Sequence, residues 1–177
     1  MNNNYGTKIT TGKVILNFSH LIKANNRGQF ENSQANYDTT IIISKSDDET
    51  LSKIDNAIKN AIIESGFPNT AEIKSPLKDG DENYPYNSLY KNSMYMYVSS
   101  TMRPNVVDNK LQEIPFYSDE IASGSYARVS MYFEGYKSSK TGKFGISAKL
   151  LNVQVFPQNR YIELRSKPEE DFQVEDD

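Results

Sequence analysis

The side chains able to do chemistry in this 177-residue chain are few in kind and uneven in place. There is one histidine, His20, and there are no cysteines. Thiol catalysis, zinc ribbons, iron–sulfur clusters, disulfide frameworks and multi-histidine metal sites are therefore excluded. A Ser-His-Asp triad would have to use His20, and its neighbour Ser19 points to the opposite face of a strand. Asp79, Asp81 and Glu82 stand close enough in sequence to hold a divalent cation for nuclease chemistry. Nothing near them supplies a second catalytic cluster, and a solvated acidic loop fits the same residues. The remaining chemistry is aromatic and cationic. Tyr126, Arg128 and Tyr132 alternate with apolar residues, Tyr95 and Tyr97 do so on another segment, and Lys137, Lys140, Lys143 and Lys149 gather about one turn. Rings that stack on bases, set beside cations that meet phosphates, equip a surface for single-stranded nucleic acid. The same tyrosines suit rings packed beneath a long loop with their hydroxyls in water. The pattern alone leaves both readings open.

The segments that must position these groups read mostly as strands. Val14, Leu16 and Phe18 alternate on one side of residues 13–18, and residues 37–44 centre on the apolar run Ile41, Ile42, Ile43. Residues 94–98 and 126–136 resume the alternation, with Ala127, Val129, Met131 and Phe133 facing one way. Residues 143–156 form a partner strand, joined to 126–136 through the basic turn 137–142 as a hairpin. One helix is predicted over about 47–65. Ser46 to Glu49 have the spacing of a capping box, Leu51, Ile54, Ile58, Ala61 and Ile62 recur at helical intervals, and Gly66 stops the helix. Residues 67–93, polar and broken by Pro68, Pro76 and Pro85, read as a long loop. About five strands, one helix and no βαβ rhythm predict a mostly β protein, an OB-fold-like five-stranded antiparallel barrel. The standard OB-fold helix lies between the third and fourth strands, whereas two strands are legible before Ser46. This predicts either an extra strand within residues 8–37 or a decorated barrel.

The net charge of −3 conceals an asymmetry. Glu169, Glu170, Asp171, Glu175, Asp176 and Asp177 crowd the last ten residues with no compensating cation. The rest of the chain holds 20 basic against 17 acidic residues and carries +3. A basic body with an acidic tail points toward nucleic-acid partners. The organisation expected is a flexible N-terminus over 1–11, an OB-fold-like barrel over 12–156, a linker over 157–167 and an acidic disordered tail over 168–177. No apolar run reaches the roughly 18 residues of a membrane span, and the N-terminus lacks the features of a signal peptide. A soluble intracellular protein with no membrane partner is expected.

The stretch from Phe116-Tyr117 through Gly124-Ser125-Tyr126-Ala127-Arg128-Val129 and Met131-Tyr132-Phe133 has a familiar order and spacing. It continues through Lys143-Phe144-Gly145-Ile146-Ser147-Ala148-Lys149-Leu150 to Val153-Gln154. With Gly12-Lys13-Val14, Ile43-Ser44-Lys45, Leu77 to Glu82, Arg103-Pro104 and Val107-Asp108, it resembles the OB-fold single-stranded DNA-binding proteins of tailed bacteriophages. The resemblance spans most of residues 12–156. It implies sequence-independent binding of single-stranded DNA in phage replication, recombination or repair, in the cytoplasm of the infected bacterial host, with no catalysis and no cofactor. It implies a DNA-binding surface in which Arg128, Lys143 and Lys149 meet phosphates, Tyr95, Tyr126 and Tyr132 stack on bases, the turn lysines Lys137, Lys140 and Lys143 clamp the strand, and Tyr97, Arg103 and Phe144 also bind DNA. The tail, with Phe172 and Val174 among its acids, would dock a phage polymerase, helicase or recombinase. Its apolar residues lie inside the tail and not at its tip, a departure from the usual acidic ending. A homo-oligomer is compatible with the same reading.

Overall fold

The computed structural model describes residues 6–25, 36–115 and 121–160, with backbone alone at 157–160. Its elements are β1 (Lys8–Thr10), β2 (Val14–Asn25), β3 (Asn36–Ser44), α1 (Asp48–Ser65), β4 (Ile73–Lys74), β5 (Lys78–Asp79) and α2 (Gly80–Asn83). A 3₁₀ turn (Ser88–Tyr90) follows, then β6 (Ser93–Ser100), β7 (Asn105–Val107), β8 (Ser125–Lys137) and β9 (Phe144–Arg160). Five of the strands close a barrel. β2 pairs with β3, β3 with β6, β6 with β9, β9 with β8, and β8 returns to β2. All of these contacts are antiparallel except β6–β9, which is parallel, so the barrel has the OB-fold strand order and is not antiparallel throughout.

The missing strand before the helix is resolved in favour of decoration. β1 pairs with β8 at Tyr132 to Ser130, and the start of β2 pairs with the same strand at Ala127 and Tyr126, one residue out of step across Gly12. β1 and β2 are thus two parts of one interrupted strand, and α1 enters after the second barrel strand. Asp47, not Ser46, caps α1. Its carboxylate accepts from the Thr50 amide at 3.0 Å, where charge complements the helix N-terminus, while the Ser46 hydroxyl meets Ser44. Gly66 ends the helix in a left-handed conformation, φ 59°.

The inward stripes on β8 (Ala127, Val129, Met131 and Phe133) and β6 (Met96 and Val98) are those the alternation predicts, and the apolar run of β3 is buried at Ile41, Ile42 and Ile43 as expected. Ile54, Ala57 and Ala61 of α1 join the same core. Phe18 departs from its expected place beside Val14 and Leu16. A register shift between Asn17 and His20 lifts it out of the core, and it stands 61% exposed.

Residues 67–93 are not one loop. β4 adds to β9, β5 adds to β6, and α2 with the 3₁₀ turn folds back over the barrel wall. Ile42 points away from the interior, by alternation with Ile41 and Ile43, yet is 2% exposed, set between Ile15 of β2 and Tyr95 of β6. Gly80 allows the arm's close approach. A Cβ there would lie 2.5 Å from the Tyr90 carbonyl oxygen.

Candidate nucleic-acid interface

Tyr95, Tyr97 and Ser99 alternate with buried Met96 and Val98 and so line the outside of β6. Their neighbours differ. Tyr95 sits among the arm's tyrosines, its ring centroid 5.3 Å from both Tyr84 and Tyr90, with the Lys78 ammonium 6.0 Å above it. Burial raises its hydroxyl pKa, and that of Tyr90, above the usual tyrosine value of 10.0. Tyr90 is anchored to the barrel by Asn17, whose side-chain amide donates to the Tyr90 hydroxyl at 2.9 Å.

Tyr97 lies beyond the arm's cover and is 50% exposed. Its hydroxyl donates to the Asp38 carboxylate at 2.9 Å. The other oxygen of that buried carboxylate meets His20 Nδ1 at 2.8 Å, and Asn25 adds a longer contact of 3.4 Å. A carboxylate on β3 is thus satisfied from both neighbouring strands, by His20 and Asn25 of β2 and by Tyr97 of β6, and it holds Tyr97 in orientation.

A groove runs from Tyr97 toward the basic turn. One part of it is bounded by Lys78, Tyr97, Ser99 and Tyr136, the next by Tyr136, Lys143 and Phe144, and Lys74 and Tyr136 line both. Gly145 makes room for the tyrosine, since a Cβ at that position would lie 2.6 Å from the Tyr136 ring. Phe144 packs on Phe67 at 4.8 Å, and the Lys137 ammonium stands 5.5 Å over the Phe144 ring. Lys140 and Lys143 are exposed in the turn itself. The groove therefore joins flat rings to cations along one path, from β4 and β5 on one bank to β6 and the β8–β9 hairpin on the other.

The remaining residues expected at the interface stand beside the groove or away from it. Lys149 pairs with Glu134 at 3.2 Å, lies opposite Tyr132 of β8 and, across its other edge, lies opposite Ser99 of β6 in the groove wall. Tyr126 lies opposite Phe156, and exposed Arg128 lies opposite Gln154. Arg128 is nine positions from Lys137 along β8, which in an extended strand is about 30 Å. Arg103 is exposed in the turn after β6. The acidic tail, including Phe172 and Val174, lies outside the described residues. Lys74, Lys78 and Tyr136 escaped the sequence reading, because the two lysines belong to a stretch without periodicity and Tyr136 ends a strand whose pattern speaks only of its core face.

The acidic group has another occupation. Lys45 Nζ lies 2.7 Å from both the Asp79 and the Asp81 carboxylates. Asp79 also caps α2, accepting from the Asp81 and Glu82 amides, and Asp81 accepts from the Asn92 amide. The hydrogen bond from Lys45 holds both aspartates below their ordinary pKa of 3.8, and in return the Lys45 pKa is raised. These acids latch the arm to the end of β3. Among the described residues no group of three or more His, Asp or Glu side chains is placed to hold a metal ion.

The sequence profile of the Enterobacter phage Enc34 single-stranded DNA-binding protein family matches residues 7–177. The chain belongs to that family. Among solved structures, the single-stranded DNA-binding protein of bacteriophage Enc34 in complex with ssDNA superposes with a TM-score of 0.74 at 20% identity, over 89% of this chain and 88% of that one. Another structure of the same phage protein gives 0.71 at 19% identity, over 94% and 90%. Gp2.5, a single-stranded DNA binding protein encoded by bacteriophage T7, gives 0.67 at 13% identity, over 96% of both chains. At these identities the structural likeness establishes the shared fold. No curated protein sequence matches the chain. No helix among the described residues is long and apolar enough to cross a membrane.

Proposed function

We propose that this protein coats single-stranded DNA without sequence preference, in phage DNA replication, recombination or repair inside the infected bacterial cell. It acts as a binding protein with no chemistry of its own. The observation that carries this reading is the continuous groove in which Lys74, Lys78 and Lys143 face the exposed rings of Tyr97 and Tyr136. Rings stack on any base and ammonium groups meet any phosphate, so the arrangement is indifferent to sequence. Lys137 and Lys140 extend the positive bank at the turn. Lys149, opposite Ser99, stands beside the groove, and Tyr126, Arg128, Tyr132 and Arg103 form outlying contacts for a strand long enough to leave it. Tyr95 is proposed as its edge, with most of its ring given to the arm. Family membership supports the same reading. The acidic tail, Glu169 to Asp177 with Phe172 and Val174, is proposed to recruit a phage polymerase, helicase or recombinase.

Fluorescence anisotropy of labelled oligo-dT, with and without Mg²⁺, followed by a gel for cleavage, tests this function. Saturable binding in both conditions with intact oligonucleotide is expected. Mg²⁺-dependent cleavage would replace the reading with a nuclease, and absence of binding would leave only a tail-mediated adaptor.

A further inference from the structure

Phe18 combines two features that each oppose stability. Its backbone is left-handed, with φ 51°, a region that bulky side chains rarely enter. Its ring is 61% exposed, although regular alternation from Val14 and Leu16 would have carried it into the core. The bulge that produces both features is itself held in place. The Phe18 amide donates to Asn17 Oδ1 at 3.1 Å and to Ser123 Oγ at 3.2 Å, so the unusual conformation has satisfied hydrogen bonds.

The same bulge sets the register that brings His20 opposite Asp38, whose carboxylate receives the Tyr97 hydroxyl. Phe18 is thereby tied, across β3, to the tyrosine at the mouth of the groove. Two strand spacings separate β2 from β6, about 10 Å, or roughly three nucleotide rises of about 3.4 Å. The ring's chain neighbours, Asn17 and Ser19, and its amide partner Ser123 are polar. An exposed flat ring flanked in the chain by polar residues offers a face to one base.

We infer that Phe18 is a base-stacking residue, displaced from the core by the Asn17–His20 bulge to extend the DNA path from Tyr97 across β3 to β2. This rests on the reading of the groove as the single-stranded DNA site.

The test pairs binding with stability, because the two should move in opposite directions. Phe18→Gly removes the ring and relieves the backbone, so the melting temperature should rise by a few degrees while affinity for oligo-dT falls about tenfold. Phe18→Trp should retain affinity. An oligonucleotide carrying 2-aminopurine should be quenched by the full-length protein and lose part of that quenching with Phe18→Gly. Unchanged affinity and quenching with Phe18→Gly, or a lowered melting temperature, overturns the inference. A Lys74→Glu/Lys143→Glu variant measured in parallel separates the two readings. If that variant weakens binding while Phe18→Gly does not, only the role of Phe18 falls. If the unmodified protein fails to bind, the proposed function falls with it.

Discussion

Tyr97 does two jobs that substitutions can separate. Its ring faces the groove, and its hydroxyl supplies one of the hydrogen bonds to the buried Asp38 carboxylate. Tyr97→Ala removes both and should weaken oligo-dT binding by about 1–3 kcal/mol, the usual range for loss of one stacked base. Tyr97→Phe keeps the ring and deletes the donor. Asp38 then retains His20 and Asn25, so stability should fall by about 1 kcal/mol while affinity is kept. Titration and chemical denaturation of the two variants distinguish the jobs. Equal losses of affinity for Ala and Phe would show that orientation by Asp38, not ring area, matters.

At the scale of elements, the arm formed by β5, α2 and the 3₁₀ turn depends on Lys45. Both aspartates titrate below 3.8, so their contribution is complete above that value and is lost as the pH falls through their depressed folded values. The Lys45 contribution has the opposite sense. It is complete below 10.5 and is lost as the pH rises through its raised value. The arm should therefore stay seated from about pH 4 to about pH 10. The chain has no tryptophan, so near-ultraviolet circular dichroism reports chiefly on its tyrosines, and the Tyr84–Tyr90–Tyr95 cluster should give a constant signal across that window. Lys45→Ala should reduce the signal at neutral pH and leave the far-ultraviolet spectrum unchanged, because the barrel strands do not need the latch. A signal that tracks pH between about 5 and 9 would mean that other groups hold the arm.

For the whole molecule, charge governs behaviour. Displacement of counterions by about four to five groove cations should give a log–log salt slope of roughly −3 for oligo-dT, at about −0.7 per phosphate. A slope near zero would exclude the ionic mode. The six tail acids, tethered to a body of opposite charge, are expected to compete with DNA at an effective concentration on the order of mM. Truncation after Lys167 changes the net charge from −3 to +3. The truncated protein should bind DNA more tightly at low ionic strength, with the gain shrinking as salt screens both interactions over about 8–10 Å. Equal affinity at low salt would leave the tail only a recruiting or solubilising role.

The sequence by itself determined which face is buried on β6, on β8 and at Val14 and Leu16 of β2, where α1 begins to within a residue and where it ends, and that β8 and β9 form a hairpin. Those features follow from local periodicity and local capping, which leave their mark in consecutive residues. Its charge distribution and aromatic placement were compatible with a nucleic-acid partner and equally with rings packed beneath a loop, and the resemblance to a family chose between them. Only the tertiary structure decided which aromatic residues are available. Tyr95 and Tyr97 are indistinguishable by alternation, yet the arm covers one and spares the other. The run Ile41, Ile42, Ile43 reads as a buried strand, but only the closed sheet shows that Ile42 faces outward between Ile15 and Tyr95. Phe18 follows the core pattern and leaves it because a bulge shifts the register. Lys74, Lys78 and Tyr136 meet across a groove although Lys74 and Tyr136 lie far apart in the chain. Each of these outcomes depends on contacts between segments distant in the chain. Such contacts are set by how the barrel closes and what packs on its wall, and no local pattern of residue types records them.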